Sequence, residues 1–482
     1  MISIRYIKLS FVLLLLGTVS CNSVYYNTYF NARKQYHLAD LKRLESETPG
    51  SRITPAVYKQ IYMIAIKKAS AVIELHPNSK WVDDSILMIG KSFYWRGDYG
   101  DALTKFQEMQ ENFPQSDLIP ETLYWQGLTY WASGQLNEAR LSFALVGERG
   151  DADLQAKARL ALAEIEVAEE NYEDAIEAYQ DLRNTLGKKH SLQAQAWRGI
   201  GNGHFYLRHY NKALEAYQHA LKSRPSTKIN FETRARMGEV LELQGKLEEA
   251  QQMYERILKI KRLKIYTPEV RIKQANLHTL LGQHEAALES YEAIAKDNPR
   301  TQYSAEAYYR MGLIEQKYRK DLDQAKDYFN KASREKRSSD AAIQAIQRGK
   351  DLSALERYIK QIEKEKGGKR SLPPMFELAE LYLFRLGELD SALVTYRRAL
   401  TVADTVDVSY APKALFSIGV IQADSLENQT EARETFQKLI DTYPLTDYAI
   451  EARKRIQYNR TDDALAEARF LESENQQLEG AP

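Results

Sequence analysis

The feature that most constrains this chain is a recurrence. Alanine followed four residues later by an aromatic residue occurs at Ala102/Phe106, Ala139/Phe143, Ala175/Tyr179, Ala213/Tyr217, Ala250/Tyr254, Ala287/Tyr291 and Ala325/Phe329. The steps between these alanines are 37, 36, 38, 37, 37 and 38 residues. The pair returns at Ala392/Tyr396 and Ala432/Phe436. Glycine stands 12 residues before the alanine at Gly90, Gly127, Gly201 and Gly238, and proline 12 after it at Pro114, Pro225, Pro299 and Pro444. Between these marks apolar residues fall at helical spacing, and no stretch alternates with period 2 for long. A fixed period of this size means stacked supersecondary units, each burying its apolar face against its neighbours. The small residues let two helices approach where they cross, and the aromatic residue shares the alanine's face. The proline closes the second helix because it has no N–H to give the next turn.

The fullest copy reads Trp197-x-x-Ile200-Gly201, then Ala213, Tyr217, Ala220 and Pro225. It resembles the tetratricopeptide repeat, a helix–turn–helix unit. The resemblance implies an all-α chain, a right-handed superhelical solenoid of about ten units. The expected layout is a signal segment at 1–20, an array at 21–335, a degenerate repeat and joint at 336–371 and further repeats at 372–457. An amphipathic capping helix is read from Leu445 to Glu472, and the last segment, 458–482, holds its end and a disordered tail. The degenerate repeat is placed around Ala354 and Tyr358, and the joint in the following Lys364–Arg370 with Gly367-Gly368.

The N-terminus reads differently. Arg5 and Lys8 precede an apolar run from Leu9 to Leu16, then Gly17-Thr18-Val19-Ser20 and Cys21. The run is too short for a membrane-spanning helix, which needs about 20 residues. It fits an export signal with small residues before the cut. Cys21 is the single cysteine, so a disulfide framework, a Cys-rich zinc site and an iron–sulfur cluster are excluded. The pattern resembles the bacterial lipobox, which implies that Cys21 is lipidated and becomes the first mature residue. Asn22 is not the aspartate that marks inner-membrane retention in such systems, so the resemblance implies the outer membrane, periplasmic side. The aromatic segment Val24–Ala32 is expected to cap the first repeat or to rest at the membrane interface.

Charge is balanced overall at +1, unlike a general nucleic-acid binder, and a 44% hydrophobic content excludes wholesale disorder. Its distribution is uneven. Residues 83–181 sum to −13 and residues 182–275 to +11, which predicts two oppositely charged regions. Motifs that imitate chemistry are weak. Gly90-Lys91-Ser92 lacks the first glycine of a phosphate loop, and Gly199-x-Gly201-x-Gly203 lies inside the best repeat. His204 and His209 are five apart and do not share a helical face. No metal, cofactor, nucleic acid or small-molecule substrate is expected.

In such repeats the first helix lines the binding groove. Counting from the glycines, that face should hold Asp84, Lys91, Tyr94 and Trp95, then Glu121, Tyr124 and Trp131, then Arg198, Asn202, Phe205 and Tyr206. Aromatic residues among fixed charges suit recognition of a partner. Arg198 and Asn202 occupy two positions used by tetratricopeptide domains that clamp a carboxylate. His76-Pro77-Asn78-Ser79, Gly97-Asp98-Tyr99, Asp101-Ala102, Phe113-Pro114-Gln115-Ser116 and Tyr443-Pro444-Leu445-Thr446-Asp447-Tyr448-Ala449 resemble outer-membrane assembly lipoproteins of the BamD type. Tyr26-Asn27-x-Tyr29-Phe30-Asn31-Ala32 and Leu378-Ala379-Glu380-Leu381-Tyr382-Leu383 resemble longer lipoproteins of gliding motility and type IX secretion. These resemblances imply a non-enzymatic scaffold that joins other envelope proteins and is held on the bilayer through acylated Cys21. The alternative is a module that captures secreted or cell-wall-associated chains.

Overall fold

The computed structural model describes residues 28–457 except 50, 52, 188 and 189. The export segment, Cys21 and the 458–482 tail lie outside the described residues. Among the described residues the regular elements are helical, with no strand. The chain falls into two compact units divided between Ser290 and Tyr291.

The first unit holds α1 (Phe30–Ser46), α2 (Pro55–Leu75), α3 (Val82–Arg96), α4 (Tyr99–Asn112), α5 (Ile119–Ala132), α6 (Leu136–Arg149) and α7 (Ala152–Ala168). It continues with α8 (Tyr172–Thr185), α9 (Gln193–Tyr206), α10 (Tyr210–Lys222), α11 (Thr227–Leu243), α12 (Leu247–Lys259) and α13 (Thr267–Leu280). Helix α14 (His284–Asp297) contains the division. From α1 to α13 each helix packs on the next, and the odd-numbered helices from α1 to α11 also touch one another. This is the nearest-neighbour pattern of a stacked array.

The recurring residues explain the stacking. A Cβ on Gly90 would stand 2.4 Å from the Phe106 ring, on Gly127 2.7 Å from Phe143, on Gly201 2.4 Å from Tyr217 and on Gly238 2.5 Å from Tyr254. In these units the aromatic ring of the second helix thus lies against the glycine of its own first helix. Ala163 and Ala275 take the glycine's place in α7 and α13, and both are fully buried. The repeat alanines are buried at every copy from Ala102 to Ala432. Ala213 has no exposed surface, while Glu215 two residues on is exposed. Ala213→Leu is therefore expected to overpack the crossing and cost about 1–3 kcal/mol. Glu215→Gln should stay within about 0.5 kcal/mol. Urea unfolding of both variants checks this, and equal costs would refute the register.

The second unit holds the remainder of α14, α15 (Gln302–Ile314), α16 (Leu322–Glu335), α17 (Asp340–Lys364), α18 (Leu372–Glu380), α19 (Leu389–Val406), α20 (Ala411–Val420) and α21 (Gln429–Thr442). Residues 447–457 form the described part of the expected capping helix. Here the small residue stands 13, not 12, before the alanine: Gly312 before Ala325, Ala379 before Ala392, Gly419 before Ala432. The packing is nonetheless the same. Gly312 lies on Phe329 and Gly419 on Phe436, and a Cβ on either would stand 2.5 Å from the ring. The extra residue is absorbed by π-turns at Glu315–Arg319, Leu381–Leu386 and Ile421–Ser425, the usual way a helix takes up one insertion. There the N–H groups of Lys320, Gly387 and Leu426 reach carbonyls five residues back.

Residues 336–371 are the stretch expected to hold the degenerate repeat and the joint. One continuous helix of 25 residues, α17, stands there, opened by Ser339, whose hydroxyl accepts from the Ala342 N–H. No proline interrupts it, so nothing forces a turn before Gly367, which adopts φ +77°. The division of the chain lies earlier, at 290/291. In an array whose units contact only neighbours, no change of composition need mark such a division.

Candidate functional site

The α3 and α5 faces carry a compact group of aromatic and charged side chains. Lys91 Nζ donates to Glu121 Oε1 at 2.8 Å and stands 5.1 Å from the centre of the Trp125 ring. The Trp125 Nε1 donates to the same carboxylate at 3.1 Å. Tyr94, Trp95 and Trp125 meet edge to face, with centroids 4.9, 5.4 and 5.7 Å apart. Such edge contacts hold rings rigidly at small entropic cost. From α1 the Arg43 guanidinium covers Trp95 at 3.7 Å. The Tyr36 ring sits 5.5 Å from Lys91 on the other side. Burial, then the Asp40 charge, push the Tyr36 hydroxyl well above its ordinary range. It stays neutral at physiological pH. Tyr36 is buried, while Arg43, Lys91, Tyr94, Trp95, Glu121 and Trp125 are half-buried.

The sequence expectations divide accordingly. Lys91, Tyr94, Trp95 and Glu121 come together in this cluster. Asp84 is tied to the N-terminal cap instead, accepting from the Tyr29 hydroxyl at 3.1 Å, and burial raises its carboxyl pKa. Tyr124 turns toward the Phe143 ring, 5.8 Å away, and burial pushes its pKa up to about 12. Trp131 packs against the same core. Arg198 pairs with Glu232 at 2.7 Å, and Asn202 accepts from the Tyr217 hydroxyl at 2.9 Å. Both clamp positions are thus engaged inside the array. Phe205 lies under Arg236 at 4.7 Å, and the exposed Tyr206 stacks on Tyr172 at 4.8 Å.

Trp125, Arg43 and Tyr36 escaped the count from the glycines. Trp125 is one turn beyond Glu121 on the same face, a spacing that could have found it. Arg43 and Tyr36 precede the first glycine mark, so no register reaches them.

The imitated motifs resolve into packing. Gly90 carries the Phe106 ring, and the Ser92 hydroxyl donates to Met88 O at 2.7 Å. Gly199 and Gly203 leave room for Tyr179 and Ile176 of the preceding second helix, while Gly201 serves Tyr217 of its own unit. The His204 and His209 rings are 5.9 Å apart, and among the described residues no three His, Cys, Asp or Glu side chains could hold a metal ion. Of the aromatic start, Tyr29 is buried and stacked on Trp81 at 4.6 Å, which makes it part of the cap. Phe30 is exposed, and the preceding tyrosines lie outside the described residues.

The charged regions have surfaces of their own. Glu170, Glu173, Asp174, Glu177 and Asp181 are exposed at helical spacing along and just before α8. Lys259, Lys261, Arg262 and Lys264 are exposed around the turn that follows α12. The turn is held by buried Leu263 and by the Phe231–Tyr266 stack at 4.0 Å. Burial, then Arg262 and Arg256, lower the pKa of Arg234. Cations therefore gather there.

Tetratricopeptide-repeat family models match residues 84–116, 194–227, 231–262, 306–335 and 413–446. The chain thus carries tetratricopeptide repeats in these five stretches. A comparison with curated proteins finds no match. Among solved structures, a tetratricopeptide repeat protein from Parabacteroides merdae shares 15% identity at a TM-score of 0.40, covering 55% of this chain and 98% of that one. The C-terminal part of a TPR repeat-containing protein from Cytophaga hutchinsonii shares 15% at a TM-score of 0.35, covering 64% and 98%. YrrB, described as a TPR protein with an unusual peptide-binding site, shares 19% at 0.28, covering 42% and 96%.

Proposed function

We propose that this chain is a non-enzymatic scaffold, lipid-anchored at the periplasmic face of the outer membrane, which joins proteins of an envelope assembly, secretion or motility complex. The observation that carries the scaffold reading is the cluster of Lys91, Tyr94, Trp95, Glu121 and Trp125. Its rings and charges are preset by edge contacts, a salt bridge and cation–π contacts, and it remains reachable from solvent. Preset aromatic anchors lower the entropy lost on binding, which favours recognition of a folded partner or peptide. The anchor reading rests on Cys21 and the export segment before it.

Pull-down from detergent-solubilised membranes tests the scaffold. A stoichiometric integral-membrane partner is expected. A heterogeneous set of secreted chains would mean a capture module instead. The charged surfaces make a second expectation. Reversing Lys259, Lys261, Arg262 and Lys264 to Glu should slow association with that partner without loss of helix content. The effect should shrink with added salt, since exposed charges are screened over about 10 Å at 0.1 M. Association rates unchanged at both low and high salt would reduce these regions to solvated faces.

A further inference from the structure

The first helix of the array breaks a rule that terminal helices normally obey. A terminal unit has no neighbour on its outer side, and repeat proteins keep that side polar to remain soluble. In α1 the inner face is formed by Ala32, Tyr36 and Ala39, all buried against α2. The opposite face carries Leu38, Leu41 and Leu44, which are 40%, 64% and 52% exposed. They sit three residues apart and form one stripe along the helix. Exposed Lys34 lies one turn before Leu38, on the same side. The surrounding stretch, residues 28–80, is basic, with nine Lys and Arg against four Asp and Glu.

We infer that this face of α1 lies on a lipid surface, with Leu38, Leu41 and Leu44 in the headgroup boundary and Lys34 among anionic headgroups. The inference rests on the anchor reading, because the site of attachment fixes the distance. Cys21 is seven residues before Thr28, where the described structure begins. A chain of that length spans at most about 25 Å when extended. A protein held at Cys21 therefore keeps α1 close to the bilayer, where an apolar stripe beside cations is stabilised. A bilayer covers such a face without a second protein. It also orients the first unit, with α1 at the membrane.

The test uses the mature chain from residue 21 with Cys21→Ser, so that no acyl chain contributes. It is sedimented with vesicles of phosphatidylethanolamine and phosphatidylglycerol, and with vesicles of phosphatidylcholine alone. Partition onto the anionic vesicles is expected, falling as salt is raised. Leu38→Glu/Leu41→Glu/Leu44→Glu should lower that partition at least about tenfold, since three apolar side chains no longer enter the interface. Helix content should be unchanged, because the three side chains point away from α2. A parent chain that does not partition overturns the inference, as does a triple variant that partitions equally. Dimers that vanish in the triple variant, with no vesicle binding, would assign the face to a second copy. The anchor reading is read separately from the mass of Cys21 in the native protein. An unmodified Cys21 with leucine-dependent vesicle binding would sink the anchor and leave the lipid-facing helix standing.

Discussion

Cys21→Ser is expected to move the protein from the membrane pellet to the soluble fraction, or to leave an uncleaved precursor. The thiol has no partner cysteine anywhere in the sequence, so a disulfide does not account for it. No helix among the described residues is long and apolar enough to cross a membrane, so none offers a substitute transmembrane anchor. On the anchor reading proposed above, attachment rests on acyl chains. One chain gives marginal, reversible binding, while two or more hold a protein on a bilayer. A diacylglyceryl cysteine with an acylated amine meets that condition, and losing it removes the whole anchor. The lipid-facing stripe of α1 supplies weaker binding, so some salt-sensitive residue in the pellet is compatible with the anchor reading. Cell fractionation with immunodetection reads the shift. Intact mass of the native protein reads the modification directly, and an unmodified mature Cys21 would end the lipoprotein reading.

Phe143→Ala is expected to be among the most destabilising single substitutions in the first unit, costing about 3–5 kcal/mol. The ring is 1% exposed, and its edge lies where a Cβ on Gly127 would stand, at 2.7 Å. It also meets Tyr124 and a core built from Ile119, Leu123, Val146 and Ile165. Removing it empties the crossing between α5 and α6. Gly127→Ala should be costly in the opposite way, by about 1–3 kcal/mol, because the ring has no room to retreat. The two changes meet at one point and should not add. In Gly127→Ala/Phe143→Leu the smaller side chain makes room for the new methyl, so the double variant should lose less than the sum of the singles. A coupling of about 0.5 kcal/mol or more from urea unfolding supports the contact. Strict additivity would mean that the glycine and the ring do not pack as described. Amide exchange should show the loss concentrated in α5 to α7, since stacked units transmit stability mainly to neighbours.

Much of the fold was legible because the repeat is a local rule. Gly90, Ala102 and Phe106 lie within one helix pair, so their spacing along the chain fixes their meeting in space. That is why the period named the all-α architecture and the buried alanines, and why the glycine motifs proved to be packing. Where the rule acquired one extra residue, at Gly312, Ala379 and Gly419, a fixed spacing could not follow it. The helices absorbed the insertion in π-turns and kept the same ring-on-glycine contact. At α17, alanine and tyrosine near 354–358 suggest a helix pair, but no turn separates them from the helical residues before, and one continuous helix results.

The binding face was only half legible. Sequence alone determined which helix face Lys91, Tyr94, Trp95 and Glu121 occupy, because position on a helix follows from counting. It did not determine what meets them there. Arg43 over Trp95, Tyr36 beside Lys91 and Glu232 on Arg198 come from other helices at separations set by stacking. Tertiary structure also decided that Tyr124 and Trp131 turn into the core while Tyr206 faces solvent, although all three were read onto one face. The physical reason is that the period specifies contacts inside a unit and between adjacent small residues. The long side chains that remain are placed by whichever charge or ring the neighbouring unit presents.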